Sequence, residues 1–202
     1  RYVCFLDADA VPSVGLLRSV RGRLRAGEEI LAGRLRWHEG PRPDGFADET
    51  EPSRVPIARL LLASHLCATF LPVAQVLDAG IRFDESIGPG EVTSLKSGED
   101  VLFLTQVVVA NDARRALRFE ACTFHPSRPP DFSKHLAYAE GQGSLFVRLL
   151  RSRMRRSLKA VVLASFGLFL GNGLVRVLTF RRRSARILAL RLRGAWRALL
   201  AS

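Results

Sequence analysis

From residue 146 to residue 202 the chain has no acidic side chain, yet fourteen of its residues are Lys or Arg. Residues 1–145 hold the other seventeen basic residues and all nineteen acids. The formal charge of +12 is therefore a front part at −2 joined to a tail at +14. A chain divided in this way does not fold as one uniformly mixed globule. The division predicts a near-neutral domain over 1–145 and a basic, apolar helical tail over 146–202. An apolar share of 48% excludes a disordered chain. Cys4, Cys67 and Cys122 lie too far apart for a CxxC zinc site or a disulfide framework, and fit a reducing compartment.

In the front part, short strand-like and helix-like runs alternate. Val3–Leu6 reads as a buried strand, ended by Asp7-Ala8-Asp9. Pro12 and Ser13 open a helix predicted over Val14–Ala26, with Leu16, Leu17, Val20 and Leu24 on one face and Gly27 as its stop. Ile30–Trp37 reads as a strand, 38–56 as a long loop, Ile57–His65 as a helix and Leu66–Leu71 as a strand. A short helix then starts at Pro72 and ends at Gly80, and 81–98 is a loop. Glu99–Ala110 reads as a helix, and Ala116–Phe124 as a strand running into His125-Pro126. This alternation predicts an α/β layered domain. The chain opens inside an apolar run, so the domain is expected to begin upstream of Arg1.

In the tail, Phe146, Leu150, Met154 and Leu158 are spaced four apart and predict one helical face, with Arg148, Arg151, Arg155 and Arg156 off it. Ala160–Val175 carries no charge. As a helix it would extend about 24 Å at about 1.5 Å per residue, short of a bilayer core of about 30 Å. A last helix sets Arg182, Arg186, Arg193 and Arg197 against Leu188, Leu192, Trp196 and Leu199. Helices lying at a membrane surface fit this pattern better than a span or a face docked on protein: guanidiniums meet lipid phosphate while Leu, Phe and Trp enter the boundary.

The chemistry-bearing residues form two acidic clusters and a histidine. Asp7 and Asp9 stand at the exit of a strand, where open α/β sheets bind ligands. Two acids one residue apart can share a hard divalent cation, which can bridge diphosphate oxygens; the plain alternative is a solvated turn. Gly98-Glu99-Asp100 begins an apolar helix, whose N-terminus keeps acids ionised. An ionised carboxylate there can serve as a general base or simply cap the helix. His125 can ligate a metal or hold a phosphate. Gly88 and Gly90 can let the backbone approach a ligand.

Phe-Leu-Asp7-Ala-Asp9, then Gly80-Ile-Arg-Phe-Asp-Glu-Ser-Ile-Gly-Pro-Gly90, then Ser97-Gly-Glu-Asp100, then Phe124-His-Pro126 follow one another in that order. This series resembles the family 2 glycosyltransferases of GT-A fold, over roughly residues 1–145. The resemblance implies a Rossmann-like mixed-sheet domain, truncated at its amino terminus and followed by basic amphipathic and apolar helices. It implies that Asp7 and Asp9 form the DxD motif and hold Mg²⁺ or Mn²⁺ on a nucleotide-sugar diphosphate, with His125 assisting. It implies that Asp100, beside Glu99, is the base, and that Gly88, Gly90 and Gly98 lie in the acceptor loop. Trp37 and His38 are candidates for contacting the acceptor, against core packing for Trp37. The implied reaction is direct, inverting transfer of one sugar; the basic tail suggests that it takes place at the cytoplasmic face of a membrane, where a lipid-linked or cell-envelope glycan would suit as acceptor. Without the family's amino-terminal half, the isolated chain is expected to be inactive and poorly folded. Gln142 is not followed by the Gln-x-x-Arg-Trp pattern of processive synthases, which favours single-sugar transfer.

Two other functions fit parts of the sequence. The run into Asp7 also resembles the first motif of haloacid-dehalogenase-like phosphatases, which would make Asp7 a nucleophile. A basic tail can bind nucleic acid through phosphates, but this one interleaves few aromatics with its arginines, and no nucleic-acid partner is expected.

Overall fold

The computed structural model describes residues 1–7, 9–23, 29–38, 52–61, 65–88, 93, 95–126, 132–179 and 182–201. In chain order the elements are β1 (Tyr2–Val3), β2 (Val11–Pro12), α1 (Val14–Arg23), β3 (Ile30–His38), β4 (Ser53–Pro56), α2 (Ile57–Leu61), β5 (Thr69–Pro72), α3 (Val73–Leu77), α4 (Glu99–Ala110), β6 (Arg115–Pro126), α5 (Phe132–Arg151), α6 (Arg156–Leu178) and α7 (Arg182–Leu200). They divide into two compact units, one of Arg1–Arg82 with Gln106–Pro129, the other of Phe83–Thr105 with Pro130–Ser202.

The first unit is a mixed α/β layer, as the alternation predicts. Its sheet runs β1-β5-β3-β6-β2, with β4 also on β6. Among the described strands, β3 and β6 pair in parallel and the other pairs are antiparallel. Helix α1 closes one core with Leu16 and Val20 on Leu31, Phe70, Leu117 and Phe119. Ser13 caps α1, its Oγ accepting from the Leu16 N–H at 3.0 Å, which satisfies one orphan donor of the first turn.

Several boundaries differ from the sequence reading. The first strand pairs over Tyr2–Val3, on Leu71 and Pro72, while β5 pairs with β3 on its other edge through Phe70 and Thr69. Cys4 instead donates its thiol to the Leu66 carbonyl at 3.4 Å, and burial pushes that thiol up to about 11. Leu17 is 47% exposed although Leu16 is buried, since neighbours on a helix lie about 100° apart. Leu24 and Gly27 lie outside the described residues. Leu66–Ala68 is a 3-10 turn rather than the start of a strand. The expected loop 38–56 yields β4 at its end, while 39–51 lie outside the described residues.

The second unit is helical. Between Arg151 and Arg156 the chain leaves the helix, so Met154 lies between α5 and α6 instead of continuing the Phe146–Leu150 stripe. Val162, Leu149 and Ala139 are fully buried. Phe146 stacks on Phe166, ring centroids 4.7 Å apart. Helices α5 and α7 touch backbone to backbone: a Cβ on Gly143 would overlap the Arg191 carbonyl, and one on Gly194 the Glu140 carbonyl. Glu140 accepts from Arg193 at 2.5 Å and from Arg197 at 2.6 Å. The Arg151 guanidinium donates to the carbonyls of Ala198 and Leu199, satisfying the end of α7. Two arginines of the α7 basic face thus meet protein, while Leu192, Trp196 and Leu199 are exposed.

The glycine contact carries a direct expectation. Gly194→Ala forces the two helices apart and should lower the stability of this unit by about 1–3 kcal/mol. Gly22→Ala, at a position with nothing within 4 Å of the added carbon, serves as the control. Thermal melts of the two variants compare them; equal melting temperatures would contradict the close packing.

Candidate metal centre and the acidic helix start

The end of β6 is built by ladder geometry. The parallel β3 register sets Trp37 beside His125, and the antiparallel β2 register sets Val11 beside Phe124. Asp9 stands two residues before Val11, and a turn closed by the Ala10 N–H on the Asp7 carbonyl at 3.0 Å brings Asp7 to the same place. His125 Nε2 lies 3.1 Å from Asp9 Oδ1 and 3.5 Å from Asp7 Oδ2. One ligand atom from each of the three residues falls within 4.8 Å of the others.

Burial grades the three groups. The His125 side chain is 9% exposed, Asp9 35% and Asp7 63%. His125 Nδ1 lies 3.0 Å from the Pro126 carbonyl. Donation there leaves Nε2 as the atom facing the acids, the arrangement in which an imidazole serves as a ligand. Two carboxylates and an imidazole lone pair converging on one point form a donor set that can hold a divalent cation. Two oxygens and one imidazole nitrogen suit Mn²⁺, and less ideally Mg²⁺. The donor set therefore fits the expected group.

Trp37 is 58% exposed, so it is not a core residue. Its indole packs against the His125 ring at 4.7 Å between centroids, tilted by 57°. His38 ends β3 opposite Pro126. His125 is itself a strand residue and buried, rather than part of a loop after the strand.

In the second unit, Glu99 and Asp100 occupy the first turn of α4, as predicted. Gly98 precedes them with φ 108° and accepts from the Leu102 N–H at 3.0 Å. That backbone conformation favours glycine. Gly88, at φ 118°, donates its N–H to the Leu95 carbonyl at 2.8 Å. A Cβ there would sit 3.6 Å from the Glu99 side chain. Gly90 lies outside the described residues.

Asp84, quoted above only as part of a motif, is also organised. Its carboxylate accepts from the Ser86 hydroxyl at 2.6 Å, from the Ser86 N–H at 3.0 Å and from Arg148 on α5 at 2.8 Å. The Asp-x-Ser spacing was the available signal. The Ser86 hydroxyl first, and then the Ser86 N–H and Arg148, hold its carboxyl below the usual carboxylate range against some burial. The stabilisation is therefore complete above that range and fades as pH falls through the lowered value. Acid titration of unfolding should show a low-pH loss that Asp84→Asn removes; an unchanged acid limb would count against the pairing.

No known family profile and no curated protein matches the chain. Two solved structures of S. aureus TarS residues 1–349 resemble it. One, in complex with UDP-GlcNAc, is 19% identical over 82% of this chain and 47% of that one, with a TM-score of 0.51. The other is 18% identical over 96% of this chain and 56% of that one, with a TM-score of 0.53. The chain thus spans about half the length of these neighbours. At this identity the likeness establishes the fold: a mixed α/β domain of GT-A-like, glycosyltransferase-type architecture.

Proposed function

We propose that the chain carries part of the catalytic domain of an inverting, family 2-type glycosyltransferase that passes a sugar from a nucleotide-diphosphate sugar to an acceptor hydroxyl. The observation that carries this reading is the convergence of Asp7, Asp9 and His125 at the end of β6 in a GT-A-like fold. The donor class is supported by the neighbour that holds UDP-GlcNAc.

Asp7, Asp9 and His125 would hold Mn²⁺ or Mg²⁺. When bound, such a cation neutralises charge on a departing diphosphate. The Pro126 carbonyl keeps the His125 ring oriented. Asp100, kept ionised at the start of α4, accepts the acceptor's hydroxyl proton at its carboxylate as that oxygen attacks. One direct displacement inverts the anomeric centre, and no covalent glycosyl-enzyme forms. Gly88 and Gly98 give the loop ahead of Asp100 its left-handed turns. Trp37 offers an exposed ring on which a sugar can stack.

The experiment is nucleotide-sugar hydrolysis by the full-length protein, with Mn²⁺ and with a chelator. Metal-dependent release of nucleoside diphosphate is expected. Turnover unaffected by chelation refutes the metal role, and no turnover on any nucleotide sugar refutes the reading.

The membrane part of the proposal rests on the tail. Helix α6 is 23 residues long and contains an 18-residue stretch with a mean hydropathy of 1.8, enough by length and composition to cross a membrane. Val161, Leu163, Leu168, Leu174, Val175 and Leu178 on α6 are exposed. With fourteen basic residues and no acid over 146–202, association with an anionic, cytoplasmic-face surface accounts for both features. The protein should float with phosphatidylglycerol vesicles and be released by high salt or carbonate. Resistance to carbonate would show a span instead.

A further inference from the structure

A cavity of about 180 Å³ opens within the first unit, walled by β3, α2 and β6. Arg34, Arg59 and Arg118 line it, one from each element, with His65 and the Trp37 indole beside them. Its origin is a break in the parallel ladder. From Ala32 to Arg34, β3 advances two residues while β6 runs from Arg118 to Cys122. Such a bulge interrupts pairing and re-aims side chains. Gly33, at the break, leaves the space unfilled.

The charge in this wall is not internally balanced. Arg34 pairs with Glu120 at 2.6 Å, but its Nε is buried without an acceptor among the described residues. Neither Arg59 nor Arg118 has a side-chain partner among the described residues. Among the described residues, three guanidiniums against one carboxylate leave two positive charges in excess. That excess matches a phosphate monoester dianion better than a single carboxylate, and planar guanidinium forks suit phosphate oxygens. Trp37 joins this cavity to the acidic cluster, since the same indole lines the wall and packs on His125.

We infer that this cavity is an acceptor subsite for a phosphate group carried by the sugar-accepting molecule. The inference rests on the transferase reading, which assigns the donor diphosphate to the acid and histidine cluster. A site whose arginines outnumber its one acid among the described residues takes phosphate directly, with no cation between.

The test is calorimetric titration of the full-length protein with inorganic phosphate at fixed ionic strength, in the presence of saturating Mn²⁺ and UDP. Saturable binding is expected. Arg59→Gln with Arg118→Gln should weaken it on the order of tenfold or more, from the loss of charged hydrogen bonds. Arg59→Lys with Arg118→Lys should lose less, and Arg21→Gln, on the exposed side of α1, nothing. Unchanged Mn²⁺ affinity in each variant shows that the fold survives. Absence of saturable binding, or equal binding in the double glutamine variant, overturns the subsite. Competition between phosphate and UDP overturns its assignment to the acceptor. Failure of the transferase reading is distinguishable: phosphate binding would persist while no nucleotide sugar turned over, and the acceptor role would fall with that reading.

Discussion

Asp9→Asn in the full-length protein is expected to weaken Mn²⁺ binding on the order of 100-fold, because carboxylate charge count sets the affinity of sites for hard cations. The substitution keeps the shape of the side chain and removes its charge. Asp9 is the acid nearer His125 Nε2, at 3.1 Å against 3.5 Å for Asp7, and it is the less exposed. Asp7→Asn should therefore have the smaller effect. Electron paramagnetic resonance of free Mn²⁺ measures both, and nucleotide-sugar turnover should fall in step. An Asp9→Asn protein that binds Mn²⁺ like the wild type would remove the cluster from the mechanism.

Asp100→Asn is expected to lower kcat by about 10²–10⁴, the usual span for loss of a general base. Mn²⁺ affinity should not move, because Asp100 belongs to the first turn of α4 and the three cluster residues to other elements. Asparagine retains the hydrogen-bonding and capping ability of the side chain but cannot take a proton. Asp100→Glu keeps a base and should recover part of the rate. The falling acid limb of the kcat profile should disappear in Asp100→Asn. A wild-type kcat in that variant would transfer the role elsewhere.

Local chemistry made the starts of two helices legible. The helix Glu99–Ala110 is found where two acids and an apolar run predict it, and the Pro-Ser start of α1 is capped by that serine. Asp7 and Asp9 stand out at the exit of a strand-like run, whereas only the family resemblance joins His125 to them. Other features depend on contacts between segments distant in sequence. Arg34 and Glu120 are 86 residues apart, and the bulge that brings them together leaves no local pattern. Arg59 and Arg118 carry no local signal for the same reason. In the tail, helical spacing carried the stripe through Met154 because periodicity alone does not mark where a helix stops. The use of Gly143 and Gly194 as contact points emerges only when α5 and α7 meet.

The two tryptophans of the chain, Trp37 and Trp196, fall one in each unit, and both are largely exposed. The first leans on the imidazole of the candidate metal centre, and the second stands on the outer apolar side of α7. The protein thus carries two intrinsic optical reporters with different audiences. Paramagnetic quenching by Mn²⁺ addresses Trp37, and a blue shift on lipid addresses Trp196. Replacing either by phenylalanine lets one spectrum follow substrate chemistry and another follow location, without attaching a label.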